Sequence, residues 1–443
     1  MMKRFMSSKL LYAVLLIVNP LLSFSQQADT LSRQEATLGN IIKYALQHQP
    51  VIQQSLIDEQ ITETTIRNKL SAWYPQLNFN YSLQHNFEVQ TSVIGGNPVR
   101  LGVSNTSAAQ FTFTQNLFNR DALLAKRSQD DVRTQARQNT GNNKINVTVN
   151  VSKAFYDVLA TLQQIRVSDE NIARLENSLR IATSQYQAGI TDKTDYKRAT
   201  ITLNNTKALK ASNEAQLKAK TEYLKALIGY PDSAALYIVY DSLQMEREMN
   251  LDTLQSADYT QRIEYRLLQT QKRLLEANLR YEKWSYLPSV SANGAYNLNF
   301  QNNEFTKLYN TNYPNSFAAL TLSFPIFQGG KRKANIEQAQ WQLKRTDWDL
   351  VNLRANVNAQ YAQAIASYKS SFANYRALKE NLELAREVYG IIDLQYKSGV
   401  KTYLEVMTAE SDLRTSQINY YNALYQVLAS KIDVQKALGQ INY

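Results

Sequence analysis

Residues 151–189 read VSKAFYDVLATLQQIRVSDENIARLENSLRIATSQYQAG, and residues 361–399 read YAQAIASYKSSFANYRALKENLELAREVYGIIDLQYKSG. In the first stretch Val151, Phe155, Val158, Leu162, Ile165, Ser168, Ile172, Leu175, Leu179, Ala182 and Tyr186 follow steps of three and four. About 210 residues on, Tyr361, Ile365, Tyr368, Phe372, Tyr375, Leu378, Leu382, Ala385, Tyr389, Ile392 and Tyr396 occupy the same places, and Ser168 is the one polar residue in both sets. A stripe of this spacing, held over so many turns, is a coiled-coil-like seam present twice. No proline interrupts the chain from Phe118 to Gly189 or from Phe327 to Gly399. At 1.5 Å per residue, each run predicts a helix of roughly 100 Å, a rod for which a compact globule has no use.

Gly189 and Gly399 stand where a helix C-cap belongs, and each is followed by a second helical stretch ending in Leu-Ile-Gly229 or Ala-Leu-Gly439. The unit is a long helical hairpin, repeated. Upstream, Tyr74-Pro75-Gln-Leu77 matches Leu287-Pro288-Ser-Val290, and Asn116-Leu117-Phe118 matches Pro325-Ile326-Phe327.

Between the matched prolines and the long helices the period changes to two. Leu77, Phe79, Tyr81, Leu83, Phe87 and Val89 alternate with Asn, Gln, Ser and Glu, broken on the apolar side by His85. Strands are expected at about 76–90, 101–118, 289–301 and 317–327. These are long for a soluble hairpin and right for a tilted membrane span, and the polar face of uncharged Asn, Gln, Ser and Thr suits a wet lumen. Backbone groups in lipid must all be paired, so the sheet has to close, and four strands cannot close alone. Two chains give eight strands and a filled interior, three give twelve and an opening; the physics asks for a ring without fixing three.

Composition narrows the function. Residues 1–25 read as a secretory signal, with Lys3, Arg4 and Lys9 ahead of an apolar run from Leu10 to Leu22 and small Ser23 and Ser25 before the cut. Past it no stretch is apolar enough for a transmembrane helix, so the exported chain either stays soluble or enters a membrane as strands. The absence of cysteine excludes disulfides, thiolate metal sites and a lipid on Cys. The formal charge of +11 is spread among Asp and Glu, which argues against nucleic acid as a partner. The two histidines, His48 and His85, lie in unrelated segments with no nucleophile or Gly-rich motif to complete a catalytic site, so no enzyme, cofactor or metal is expected. The basic run Lys331-Arg-Lys333 follows a strand end and could meet anionic headgroups. A periplasmic coiled-coil adaptor or structural protein without a membrane span is the rival reading.

Three further stretches carry a resemblance: Ala72-Trp-Tyr-Pro75-Gln-Leu77, Leu322-Ser-Phe-Pro325-Ile-Phe-Gln-Gly-Gly330, and Tyr396-Lys-Ser-Gly399-Val-Lys-Thr-Tyr-Leu-Glu405-Val-Met-Thr-Ala409 running on to Ala437-Leu-Gly439. With the repeat, they make the chain resemble the TolC family of outer-membrane efflux and secretion channels over nearly all of its mature length. The resemblance implies a mainly α fold with a membrane β-barrel portion. Helical hairpins in an internal two-fold repeat (about 35–229 and 251–439) would form an α-barrel, with four transmembrane strands per protomer and a trimer closing a 12-stranded barrel in outer-membrane lipid. A belt from 230–250 and both termini would circle its middle. A periplasmic adaptor and an inner-membrane pump of RND, ABC or MFS type are the implied partners of this passive conduit, whose cargo would be drugs, metals or proteins. The resemblance also places a constriction just past the tyrosine–glycine turn. Its lining positions are Glu405 and Thr408, where the second of two acidic residues is replaced, and Lys401 and Asp195 match latch partners beside Tyr396. Apart from the resemblance, Thr402-Tyr-Leu-Glu405 reads as a capping box, and Asp192-Lys-Thr-Asp195 shares its spacing.

Overall fold

The computed structural model describes residues 36–240 and 242–443; the signal expected over 1–25 lies outside them. The chain opens with α1 (Leu38–His48), capped by Thr37, and α2 (Pro50–Leu70), which starts on a proline whose missing N–H costs a first turn nothing. A 3₁₀ turn leads into β1 (Gln76–His85), followed by a small hairpin of β2 (Thr91–Ile94) and β3 (Asn97–Arg100), then β4 (Asn105–Phe118). The first rod is α3 (Arg120–Gln187), and it turns into α4 (Lys193–Ile228). After a short α5 (Ser242–Glu248) the pattern repeats as α6 (Ile263–Lys283), β5 (Ser289–Asn302), β6 (Asn315–Ser323), the second rod α7 (Lys331–Lys397) and α8 (Tyr403–Leu438). The rods are 68 and 67 residues long and each return helix 36. Among the described residues no helix is long and apolar enough to cross a membrane.

The helices stand as four columns. α3 packs on α2 and α4 at one side and on α6 and α8 at the other, while α7 packs chiefly on α6 and α8. Two columns are stacks, joined at glycines. Gly229 ends α4 at φ +69, and a Cβ there would lie 2.6 Å from the His48 carbonyl oxygen; Gly439 ends α8 at φ +73 against the backbone of Gln261. Only glycine satisfies both the left-handed turn and the close approach, so α2 continues the line of α4 and α6 that of α8. Of the seam residues read from the sequence, Tyr186 alone is exposed. Midway up, α1, the stretch 230–240 and α5 lie across the rods. Tyr44, Tyr230, Met245 and Met249 join one apolar core with Phe155, Leu159, Tyr368, Tyr420 and Leu424. Tyr368 donates to the Met249 carbonyl at 2.7 Å and Lys379 to Glu246 at 3.0 Å, tying this belt to α7.

The main sheet is antiparallel in the order β1-β4-β5-β6. Its register gathers Leu77, Phe79, Phe113, Phe111, Tyr296, Leu320 and Leu322 on one face and Asn78, Asn80, Gln110, Thr112, Asn293 and Asn297 on the other. Strand ends differ from expectation for local reasons. β1 stops at His85, whose ring nitrogen meets Asn105 Oδ1 at 2.7 Å, instead of reaching 90, and the stretch to 100 forms its own hairpin. β4 accordingly begins at Asn105 rather than at 101. β6 ends at Ser323, ahead of Pro325, which has no N–H to give a ladder.

Candidate channel constriction

The far ends of the two hairpins are turns of one design. In each, the glycine sits in the left-handed region, Gly189 at φ +71 and Gly399 at φ +76. Gly189 N–H donates to Tyr186 O at 3.0 Å and Ile190 N–H to Gln185 O at 2.9 Å; Gly399 N–H donates to Tyr396 O and Val400 N–H to Gln395 O, both at 2.9 Å. These bonds satisfy carbonyls that the helix ends would leave open. Nothing lies within 4 Å of a Cβ built at either glycine, so the backbone angle alone demands the residue.

Past each turn a side chain caps the return helix. Asp192 accepts from Thr194 N–H at 3.2 Å. Thr402 accepts from Glu405 N–H at 3.4 Å, and Glu405 Oε2 accepts from Thr402 N–H and its hydroxyl, each at 2.9 Å. The capping box read from the sequence is thus complete. Glu405 Oε1 is also engaged, by Lys401 Nζ at 2.6 Å. Lys401 foremost, then the Thr402 backbone and hydroxyl, hold the Glu405 carboxyl down at about 2. Thr408 turns its hydroxyl back to the Leu404 carbonyl at 3.0 Å.

Tyr396 bridges the two hairpins, its phenol donating to Gln185 Oε1 at 2.8 Å. Burial and, secondarily, the negative charge of Asp195 push that phenol up. Asp195 sits in the first turn of α4 and forms no ion pair among the described residues, while Lys401 pairs with Glu405. Lys401, Glu405 and Tyr396 therefore gather at one end of the molecule with Asp195 nearby, and Thr408 lies one helical turn beyond Glu405.

A second cluster, one to two turns farther from the tip, was not anticipated. Glu410 is 3% exposed between α3 and α7. Among the described residues its one ion pair is with Arg174 Nε at 3.4 Å, and Arg174 also lies over the Tyr389 ring. Burial pushes the Glu410 carboxyl up to about 7 against the pull of Arg174 and Arg414. Along the same seam, buried polar atoms of Asn171, Arg174, Tyr403 and Gln417 have no partner among the described residues. A sequence signal existed. Tyr403, Val406, Glu410, Leu413, Gln417, Tyr420 and Leu424 step by three and four through α8, so a carboxylate and an amide stand at core positions of the return helix.

The comparisons with known proteins follow this architecture. The family model described as Outer membrane efflux protein matches residues 41–230 and 265–440, the two repeats without the linking belt segment. Outer membrane protein TolC of Escherichia coli is 20% identical over 425 residues, covering 92% of this chain and 83% of its own. The Campylobacter jejuni CmeC outer membrane channel superposes with a TM-score of 0.71 at 14% identity, over 91% of this chain and 85% of CmeC. The open state of the Neisseria gonorrhoeae MtrE outer membrane channel does so with a TM-score of 0.70 at 17% identity, over 94% of each chain.

Proposed function

The chain belongs to the outer membrane efflux protein family, and from that premise we propose that three copies close into one duct, a 12-stranded barrel in the outer membrane continued by twelve helical columns. Each copy is an outer-membrane efflux channel protein, not an enzyme by family, and a periplasmic adaptor would connect it to an inner-membrane pump that hands over the cargo. Membership in this family sets aside the periplasmic coiled coil without a membrane span.

The observation that carries the ring is that both edges of the protomer are unfinished. β1 and β6 pair on one side only and are exposed along their whole length, a state that lipid does not tolerate. The helical edges match them. α4 turns outward Ala208, Ser212, Ala215, Ala219 and Ala226, and α7 turns outward Ala362, Ala366, Ser370, Ala373 and Ala377, all exposed and spaced by steps of three, four and seven. Counted from the turn ends, the two stripes lie at the same height. Small residues in this pattern let helices approach closely, and bulky Leu384, Val388 and Ile391 extend the α7 stripe toward the tip.

Because the native chain has no cysteine, engineered cysteine pairs report this seam cleanly. Cysteines replacing Ala373 and Ala215, or Ala373 and Ala219, are expected to join chains into covalent trimers on oxidation, since facing alanines on packed helices lie within disulfide reach. Covalent dimers with nothing larger, or no cross-linking in protein extracted from membranes, would overturn the ring.

A further inference from the structure

At the opposite end of the helices, a groove of about 610 Å³ lies where the second strand pair hands over to α7. Tyr286, just ahead of β5, lines it with Lys333, Glu337, Gln340, Trp341 and Lys344 from the first four turns of α7. The chain between β6 and α7 carries Ile326 and Phe327, each 87% exposed, so the groove begins directly below the apolar face of the sheet. Lys333, Glu337, Gln340 and Lys344 step by four, three and four and share one side of the helix. Lys344 lies over the Trp341 ring at 5.0 Å, and Arg332 is spent on the Tyr286 ring and the Pro325 carbonyl. Lys333 and Glu337 are both exposed, one turn apart, and neither forms an ion pair among the described residues. The surroundings are positive. Over 331–349 the chain sets Lys331, Arg332, Lys333, Lys344 and Arg345 against Glu337, Asp347 and Asp349, and Lys272 holds Asp347 at 2.7 Å. The end of α6 adds Arg280 and Lys283 against Glu282.

We propose that this groove holds the headgroup of a phosphatidylethanolamine from the periplasmic leaflet of the outer membrane, its phosphate on Lys333 and its ammonium on Glu337. The order of the two side chains carries the assignment. Lys333 stands nearer the strand end, and Glu337 lies one turn, about 6 Å, farther from the membrane. A phosphoethanolamine presents its charges in that sequence, with the phosphate toward the acyl chains and the ammonium beyond it. Charge-assisted contacts to both ends fit this headgroup, whereas a phosphatidylglycerol would leave Glu337 without a counter-charge. The proposal rests on the reading of the chain as a trimeric duct. Trp341, Trp348, Ala355 and Ala362 follow in steps of seven, all exposed, and so continue the edge of α7 that the ring would cover. The next copy's α2 would then wall the groove on its Trp341 side. That end of α2 brings Arg67 and Lys69, its Glu63 being held by Arg133 at 2.7 Å.

The test is native mass spectrometry of purified, detergent-washed trimers offered equal amounts of dioleoyl phosphatidylethanolamine, phosphatidylglycerol and phosphatidylcholine. The native protein is expected to retain phosphatidylethanolamine about tenfold more tightly than phosphatidylcholine, whose quaternary ammonium has no N–H to donate to a carboxylate. Phosphatidylglycerol should fall between them. Glu337→Gln is expected to bring phosphatidylethanolamine down to the level of phosphatidylglycerol, and Lys333→Gln to weaken both by about tenfold. Equal retention of all three lipids, no retained lipid, or the native pattern in both variants would overturn the proposal while leaving the trimer intact. Extracted protein that holds no trimer would overturn the duct itself.

Discussion

Three glycines that look alike in the sequence differ in what holds them. Gly189 and Gly399 need only a left-handed backbone, whereas Gly229 also has the His48 carbonyl in the space of a Cβ. Gly189→Ala is expected to cost about 1 kcal/mol, the strain of an L residue at that angle. Gly229→Ala should cost clearly more, because the α4–α2 stack must also part; thermal melts of extracted protein would rank them, and equal melting points would refute the stacking role. Glu410 is the opposite kind of residue, a charge in a seam that does not suit it. Arg174 on α3, Asp393 and Tyr389 on α7, and Arg414 and Tyr403 on α8 surround it, and burial prevails over the two arginines. A carboxyl raised to about 7 in the folded protein contributes stability that is fully present below the ordinary carboxylate range and is lost as pH rises through about 7. The protein should accordingly be more stable at pH 5 than at pH 8, by about 2 kcal/mol from this group at most, after allowing for its partial solvation. Glu410→Gln should flatten that difference. A variant whose pH dependence equals that of the native protein would show that Glu410 stays charged against Arg174.

At the scale of elements, the helices were legible and the strand ends were not. Helix length followed from an apolar seam repeated without proline, a signal summed over many turns, and the observed rods of 68 and 67 residues match it. The strand ends depend on single contacts such as His85 with Asn105, which a period-two pattern cannot foresee. The turn end was half legible for a similar reason. The Thr402–Glu405 box is local and stood in the sequence, whereas Tyr396 with Gln185, and Glu410 with Arg174, join residues more than two hundred positions apart. The faces of the sheet came from alternation and can be tested directly. Leu322, 65% exposed on the apolar face, is expected to face lipid, so Leu322→Arg should hinder membrane assembly at a cost of roughly 2–4 kcal/mol near the midplane. Asn297→Arg, on the polar face, should assemble as the native protein does. Equal yields of heat-resistant oligomer from both variants would refute the assigned faces.

For the whole molecule, the question is what would keep the proposed duct shut at its turn end. Within a protomer the two hairpins meet near the tip through the Tyr396 hydroxyl on Gln185, while the seam behind it is poorly satisfied. Buried polar atoms of Asn171, Arg174, Tyr403 and Gln417 have no partner among the described residues, and such atoms make parting the hairpins less costly than parting an apolar seam. In the proposed trimer the tip would then be held by few contacts, each repeated three times. One hydrogen bond is worth about 1 kcal/mol net, so its loss from all three protomers of a concerted opening shifts the equilibrium by about 3 kcal/mol, on the order of a hundredfold. Tyr396→Phe removes that hydroxyl and leaves the ring against Tyr403, and Gln185→Ala removes its acceptor. Each is expected to raise the open fraction of single channels in planar bilayers and to admit large antibiotics to cells, and the double variant should go no further than either single one. Additive effects would mean that the two residues act separately, and unchanged conductance from folded trimers of both would place the closing contact elsewhere, between protomers rather than within one.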